Sequence, residues 1–115
     1  MKISYTSDFD ISAMANYYPK HTGLPMIIWI DSLGSARKTK HNLPRIKIQN
    51  ILGDKVIDDA FSLSISKSPQ ILAGTCKLSN KHFKEVCNFV ARNYDALMKH
   101  WNQELDDFEL KDELI

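Results

Sequence analysis

Between Ser32 and Gly53 the chain carries five cations, Arg37, Lys38, Lys40, Arg45 and Lys47, and no acid. His41 and Pro44 lie among them. Such a stretch has three chemical uses. Cations spread over a loop and a strand can track the phosphates of a nucleic acid or meet an acidic protein. An imidazole beside two cations can serve metal-free RNA cleavage, with His41 as acid or base and Arg45 or Lys47 on the phosphate. The bland use is the wet side of a sheet, where polar residues stand outside and a lysine guards an edge. Strict alternation in Arg45-Ile46-Lys47-Ile48-Gln49 sends Ile46 and Ile48 inward and Arg45, Lys47 and Gln49 outward. The candidate binding residues are therefore Arg37, Lys38, Lys40, His41, Arg45 and Lys47. Stacking aromatics would strengthen the nucleic-acid reading. Only Tyr5, Tyr17 and Tyr18 offer themselves, and no spacing brings them close.

Other chemistries find less support. His82 and His100 fall on one expected helix, 18 residues apart, which is about 27 Å at 1.5 Å per residue. His21 and His41 have no Cys or His partner at ligand spacing, and no H-E-x-x-H occurs, so neither a metal nor another cofactor is expected. There is no G-x-S-x-G, and Cys87 lies on an apolar helix face, where a thiol is normally inert. Cys76 and Cys87 make no C-x-x-C pair and read as reduced thiols of a cytoplasm. The start lacks the apolar centre of a secretory signal, and no run approaches the ~20 apolar residues of a membrane span. A cytoplasmic protein with no membrane partner is the expectation.

The elements that must position these residues follow from periodicity. At 115 residues the chain predicts one domain, with 1–23 a weakly patterned extension and 104–115 an acidic tail. Asp10 to Tyr18 has the spacing of a short helix, with Ile11, Met14, Ala15 and Tyr18 on one face and Pro19 as its stop, although an extended tail fits as well. Met26 to Asp31 is a short apolar run and predicts a buried strand. Ser32 to Pro44 reads as a loop, followed by the alternating strand from Arg45. A second alternating run buries Phe61, Leu63 and Ile65 and exposes Ser62, Ser64 and Ser66. Ile71 to Ala73 makes a short edge strand, with Pro69 before it.

The longest period lies near the end. Phe83, Val86, Cys87, Val90, Tyr94, Leu97, Met98, Trp101 and Leu105 recur in steps of three and four, which predicts one long amphipathic helix capped by Ser79. Its opposite side reads Lys81, Lys84, Asn88, Arg92, Asp95 and Lys99, a positive stripe of a kind that is most often solvated surface. From Glu104 to Ile115 six acids and one base give −5, so the rest of the chain carries +6 toward the net +1. Those acids oppose the dipole at a helix C-terminus, so the helix should end near Leu105. Phe108, Leu110 and Leu114 either dock the tail or leave it a solubilising end. The sum is an α+β domain: a small antiparallel sheet of three or four strands packed against one long C-terminal helix.

Two stretches resemble a small bacterial family, Domain of Unknown Function 4160, over roughly residues 24–104. Gly74, Leu78, Leu97 and Trp101 stand where that family has a Gly, a Leu followed by Pro or Ser, and a terminal Leu-x-x-x-Trp. His41-Asn42-Leu43-Pro44-Arg45-Ile46-Lys47 lies along its H-x-P-P-H-x-H entry to a strand. His41 and Pro44 match, while Arg45 and Lys47 replace two histidines. The resemblance implies an α+β fold, an open function, and for some members small two-gene cassettes similar to toxin–antitoxin pairs. Arginine and lysine cannot chelate a metal or titrate near neutral pH, but they can hold an anion.

The reading is then a cytoplasmic, cofactor-free, non-enzymatic module that binds a nucleic acid or an acidic protein through the basic loop and strand. The rivals are a metal-free ribonuclease using His41 with Arg45 or Lys47, and a structural or partner-folding domain.

Overall fold

The computed structural model describes residues 14–31 and 43–115. Along them run β1 (Met14–Tyr17), α1 (Pro19–Thr22), β2 (Met26–Asp31), β3 (Arg45–Leu52), β4 (Ala60–Ser64), β5 (Ile71–Ala73), α2 (Asn80–Arg92), α3 (Tyr94–Trp101) and α4 (Asp107–Glu113). The strands form one antiparallel sheet in the order β1-β2-β3-β4-β5. The α+β class stands, with five strands where three or four were expected and several helices in place of one.

Register decides which face each side chain takes. Tyr17 lies opposite Ile28, Ile28 opposite Ile48, Ile48 opposite Phe61, and Ile46 opposite Leu63. Directly paired residues share a face, so these make one apolar layer. The Phe61 ring meets the Phe83 ring of α2 at 6.2 Å between centroids, which puts the helices over this layer. Val86, Phe89, Val90 and Leu97 are fully buried in the same cluster, with Trp101 nearly so. The alternation that sends Ile46, Ile48, Phe61, Leu63 and Ile65 inward is realised.

Residues Met14 to Tyr17 are strand, not helix. A helix of so few turns has too few hydrogen bonds to offset its nucleation, whereas pairing with β2 gives this segment a ready-made ladder. Asp10 to Ala13 of the expected helix lie outside the described residues.

The link from β5 to α2 is tightly held. Gly74 has φ +82°, and a Cβ there would stand 3.1 Å from both Ala60 O and Phe61 Cα. Only glycine meets both demands without strain. Asn50 of β3 then reaches across: its Nδ2 donates to Asp59 Oδ1 and to the Thr75 carbonyl, both at 3.0 Å, and its Oδ1 accepts from Lys77 N–H at 2.7 Å. The bond from Asn50 Nδ2, with a second from Lys77 Nζ to Asp59 Oδ2 at 3.0 Å, keeps the Asp59 carboxyl below the usual carboxylate range. Ser79 caps α2 as expected, its Oγ accepting from His82 N–H.

The long helix breaks at Asn93, and tertiary hydrogen bonds explain why. Its side chain donates to Phe89 O within the helix, and also donates to Ile115 O and accepts from Ile115 N–H. Asparagine readily competes for helix carbonyls in this way, and here the chain end rewards it. After α3, Gln103 takes φ +64°. Its N–H donates to His100 O and that of Glu104 to Lys99 O, a Schellman closure. The acids that seemed misplaced at a helix C-terminus instead begin α4. Asp106 Oδ1 accepts from Glu109 N–H and Glu109 Oε1 from Asp106 N–H, a capping box at the dipole's positive end. The tail docks through Leu110, fully buried, and Leu114, while Phe108 is 80% exposed.

Candidate functional site

The row expected to face solvent is buried. Arg45 is 1% exposed, Lys47 3% and Gln49 0%. Lys47 lies between Trp29 on β2 and Ser62 on β4, and Ile27, Trp29 and Ser62 are buried as well. Both faces of the sheet are therefore covered around β3. Gln49 shows how the polar groups are accommodated. Its Nε2 donates to the carbonyls of Ile51 and Lys55, and its Oε1 accepts from Ile57 N–H, so it braces the β3–β4 turn. Arg45 Nε donates to Leu43 O at 2.9 Å. Burial pulls the Arg45 guanidinium and the Lys47 amine below their ordinary pKa, the latter partly offset by Asp58.

This corrects the outward orientation expected of Arg45, Lys47 and Gln49, whose side chains are buried in the folded chain. Arg37, Lys38, Lys40 and His41 lie outside the described residues. A signal for two-sided burial was present in the sequence: Met26 to Ile30 is apolar at successive positions, as in strands dry on both faces.

Among the described residues a cationic stripe is exposed. Lys81, Lys84, Asn88, Arg92, Asp95 and Lys99 are all exposed on the outer side of α2 and α3. Glu85, the acid nearest the first two lysines in sequence, is engaged by His82 Nδ1 at 2.7 Å. Arg92 Nε donates to Ile115 O while its guanidinium lies 5.6 Å from the Phe89 ring centroid. Lys67, from the β4–β5 turn, stands 5.6 Å over the Tyr94 ring.

A second polar constellation joins the two ends of the described chain. Asp107 Oδ1 accepts from Tyr17 OH at 3.0 Å and bonds His100 Nε2 at 2.7 Å. Burial, then the neighbouring Asp107 charge, pushes the Tyr17 phenol well above its usual pKa. A His–Asp–Tyr set has the residue types of acid–base chemistry, but His100 is 4% exposed and Tyr17 0%. Asp107, its side chain 30% exposed, is the member of the set that meets solvent, and the set acts as a clasp holding α4 against β1. Among the described residues no three His, Cys, Asp or Glu side chains are grouped to hold a metal ion, and no helix is long and apolar enough to cross a membrane. Comparison with protein-family models, with curated proteins and with solved structures found no match.

Proposed function

We propose that the chain is a non-enzymatic module that binds nucleic acid by its phosphate backbone, using the outer stripe of α2 and α3. The observation that carries this reading is the exposed row Lys81, Lys84 and Lys99, with Arg92 beside them bonded to Ile115 O, Asp95 in the same stripe and Glu85 paired with His82. Buried Arg45 and Lys47 belong to the fold, so the contact shifts from the sheet to the helices.

The test is fluorescence anisotropy with short RNA and DNA duplexes. If three phosphates are neutralised, affinity falls about 40-fold between 50 and 200 mM salt, from a slope of roughly −0.9 per phosphate. The Lys81→Glu, Lys84→Glu, Lys99→Glu variant should lose binding while keeping its melting temperature, since all three side chains are exposed. No binding at low salt, or equal binding by the triple variant, would overturn the reading.

A further inference from the structure

α4 turns one side to the protein and the other to solvent. On the inner side Leu110 is fully buried, Leu114 packs against the core, and Asp107 is bonded to Tyr17 and His100. On the outer side Phe108, Glu109, Asp112 and Glu113 are exposed. Asp112 follows Phe108 by one turn, so a ring and a carboxylate stand together. Lys111, the only base of α4, is drawn to the flank, its Nζ 5.4 Å from the Tyr17 ring centroid and 5.9 Å from that of Phe108. Phe108 and Ile115 are the most exposed large hydrophobics among the described residues, at 80% and 74%. Both are presented by a segment whose backbone and inner face are held fast, Ile115 through Asn93 and Arg92. A rigidly presented aromatic ring is the residue type that anchors protein interfaces.

The α2–α3 stripe carries the opposite charge, with Lys81, Lys84 and Lys99 exposed. Among the described residues no ion pair joins these lysines to the acids of α4. One molecule thus carries two exposed surfaces of opposite sign that do not neutralise each other internally, and two copies can do so. We propose that α4 of one copy docks on the α2–α3 stripe of a second copy. Glu109, Asp112 and Glu113 face Lys81, Lys84 and Lys99, and the Phe108 ring packs on the lysines' methylene stems and ammonium groups. The contact joins unlike surfaces, so it is heterologous and continues from copy to copy. It also covers the stripe. Self-association therefore competes with nucleic acid, and this last consequence alone rests on the function proposed above.

Sedimentation velocity of the full chain, without nucleic acid, reads the association. At about 50 mM salt the weight-average size should rise with protein concentration, and at about 0.5 M it should fall back to the monomer as charges are screened. Phe108→Ala should weaken association roughly 30-fold, as for an interface anchor, with no change in melting temperature. The Lys81→Glu, Lys84→Glu, Lys99→Glu variant should be monomeric. So should Asp112→Lys, Glu113→Lys, whose new cations suit a helix C-terminus. Mixed together, the two variants should associate, because each meets the other's reversed charge. A wild-type chain that stays monomeric at low salt, association that survives either reversal, or variants that remain apart on mixing would overturn the proposal. Since no nucleic acid is present, a chain that self-associates yet ignores RNA and DNA refutes the proposed function and leaves the docking intact.

Discussion

Replacing Asp107 with alanine removes the acceptor shared by Tyr17 OH and His100 Nε2. His100 is left with a buried donor and no acceptor, which costs about 1–3 kcal/mol. Tyr17 loses its shorter bond but keeps a longer one, 3.4 Å, to the Asp107 carbonyl, so its share is about 1 kcal/mol or less. Because the Asp107 side chain is 30% exposed, water entering the gap lowers the total, and we expect about 1–3 kcal/mol. For a chain of 115 residues, an unfolding entropy of about 2.1 cal/mol/K per residue turns each kcal/mol into roughly 4 °C, hence a fall of about 4–12 °C in Tm. Tyr17→Phe alone should cost about 1 kcal/mol, and nearly nothing when Asp107 is already alanine. The pH dependence has a definite sign. The folded state holds the Tyr17 phenol protonated above its ordinary range, so the stabilisation is complete below about pH 10 and declines as the unfolded chain ionises above it. Tyr17→Phe removes that alkaline decline. Urea and thermal unfolding of the four proteins of the cycle at pH 7, and of wild type and Tyr17→Phe from pH 8 to 11, provide the assay. An Asp107→Ala variant within 0.5 kcal/mol of wild type, which is about the scatter of additivity, would refute the clasp. Strict additivity of the two changes would do the same.

The Arg45→Ala, Lys47→Ala double variant should lose about 3–5 kcal/mol of stability, as expected for truncating large buried side chains. Its affinity for nucleic acid, measured below its lowered melting point, should stay at the wild-type value because neither side chain reaches solvent. Gln103→Gly should raise stability by about 1 kcal/mol, because only glycine takes the left-handed turn after α3 without a Cβ penalty; chemical denaturation reads that gain directly.

Much of the framework could be read from local pattern. Period-two alternation placed Ile46, Ile48, Phe61 and Leu63 correctly, because the faces of a pleated strand are a local property. Ser79 as the cap of α2 was equally local. What escaped was everything decided at a distance. Arg45, Lys47 and Gln49 look solvated in their own strand, but the apolar side chains of Ile27 and Trp29 on the neighbouring strand share their face and favour its covering. The helix period runs unbroken through Asn93, and the interruption comes from Ile115, 22 residues later. The acids near the end rightly mark a helix end, but α4 beyond them was not legible because the Gln103 turn, which separates α3 from α4, has no glycine to announce it. The site suffered more than the fold for the same reason: charge in the sequence marks where cations are, while burial decides which of them a partner can touch.

Among the described residues each strand of the sheet pairs with its neighbour in the chain, so hairpins can zip successively as synthesis proceeds, with short closures and little entropic delay. The Tyr17–Asp107 bond spans 90 residues and cannot form until α4 has left the ribosome. A nascent chain stalled before that point would hold the sheet with β1 still unlatched, and protease sensitivity at its first strand would report the moment of completion.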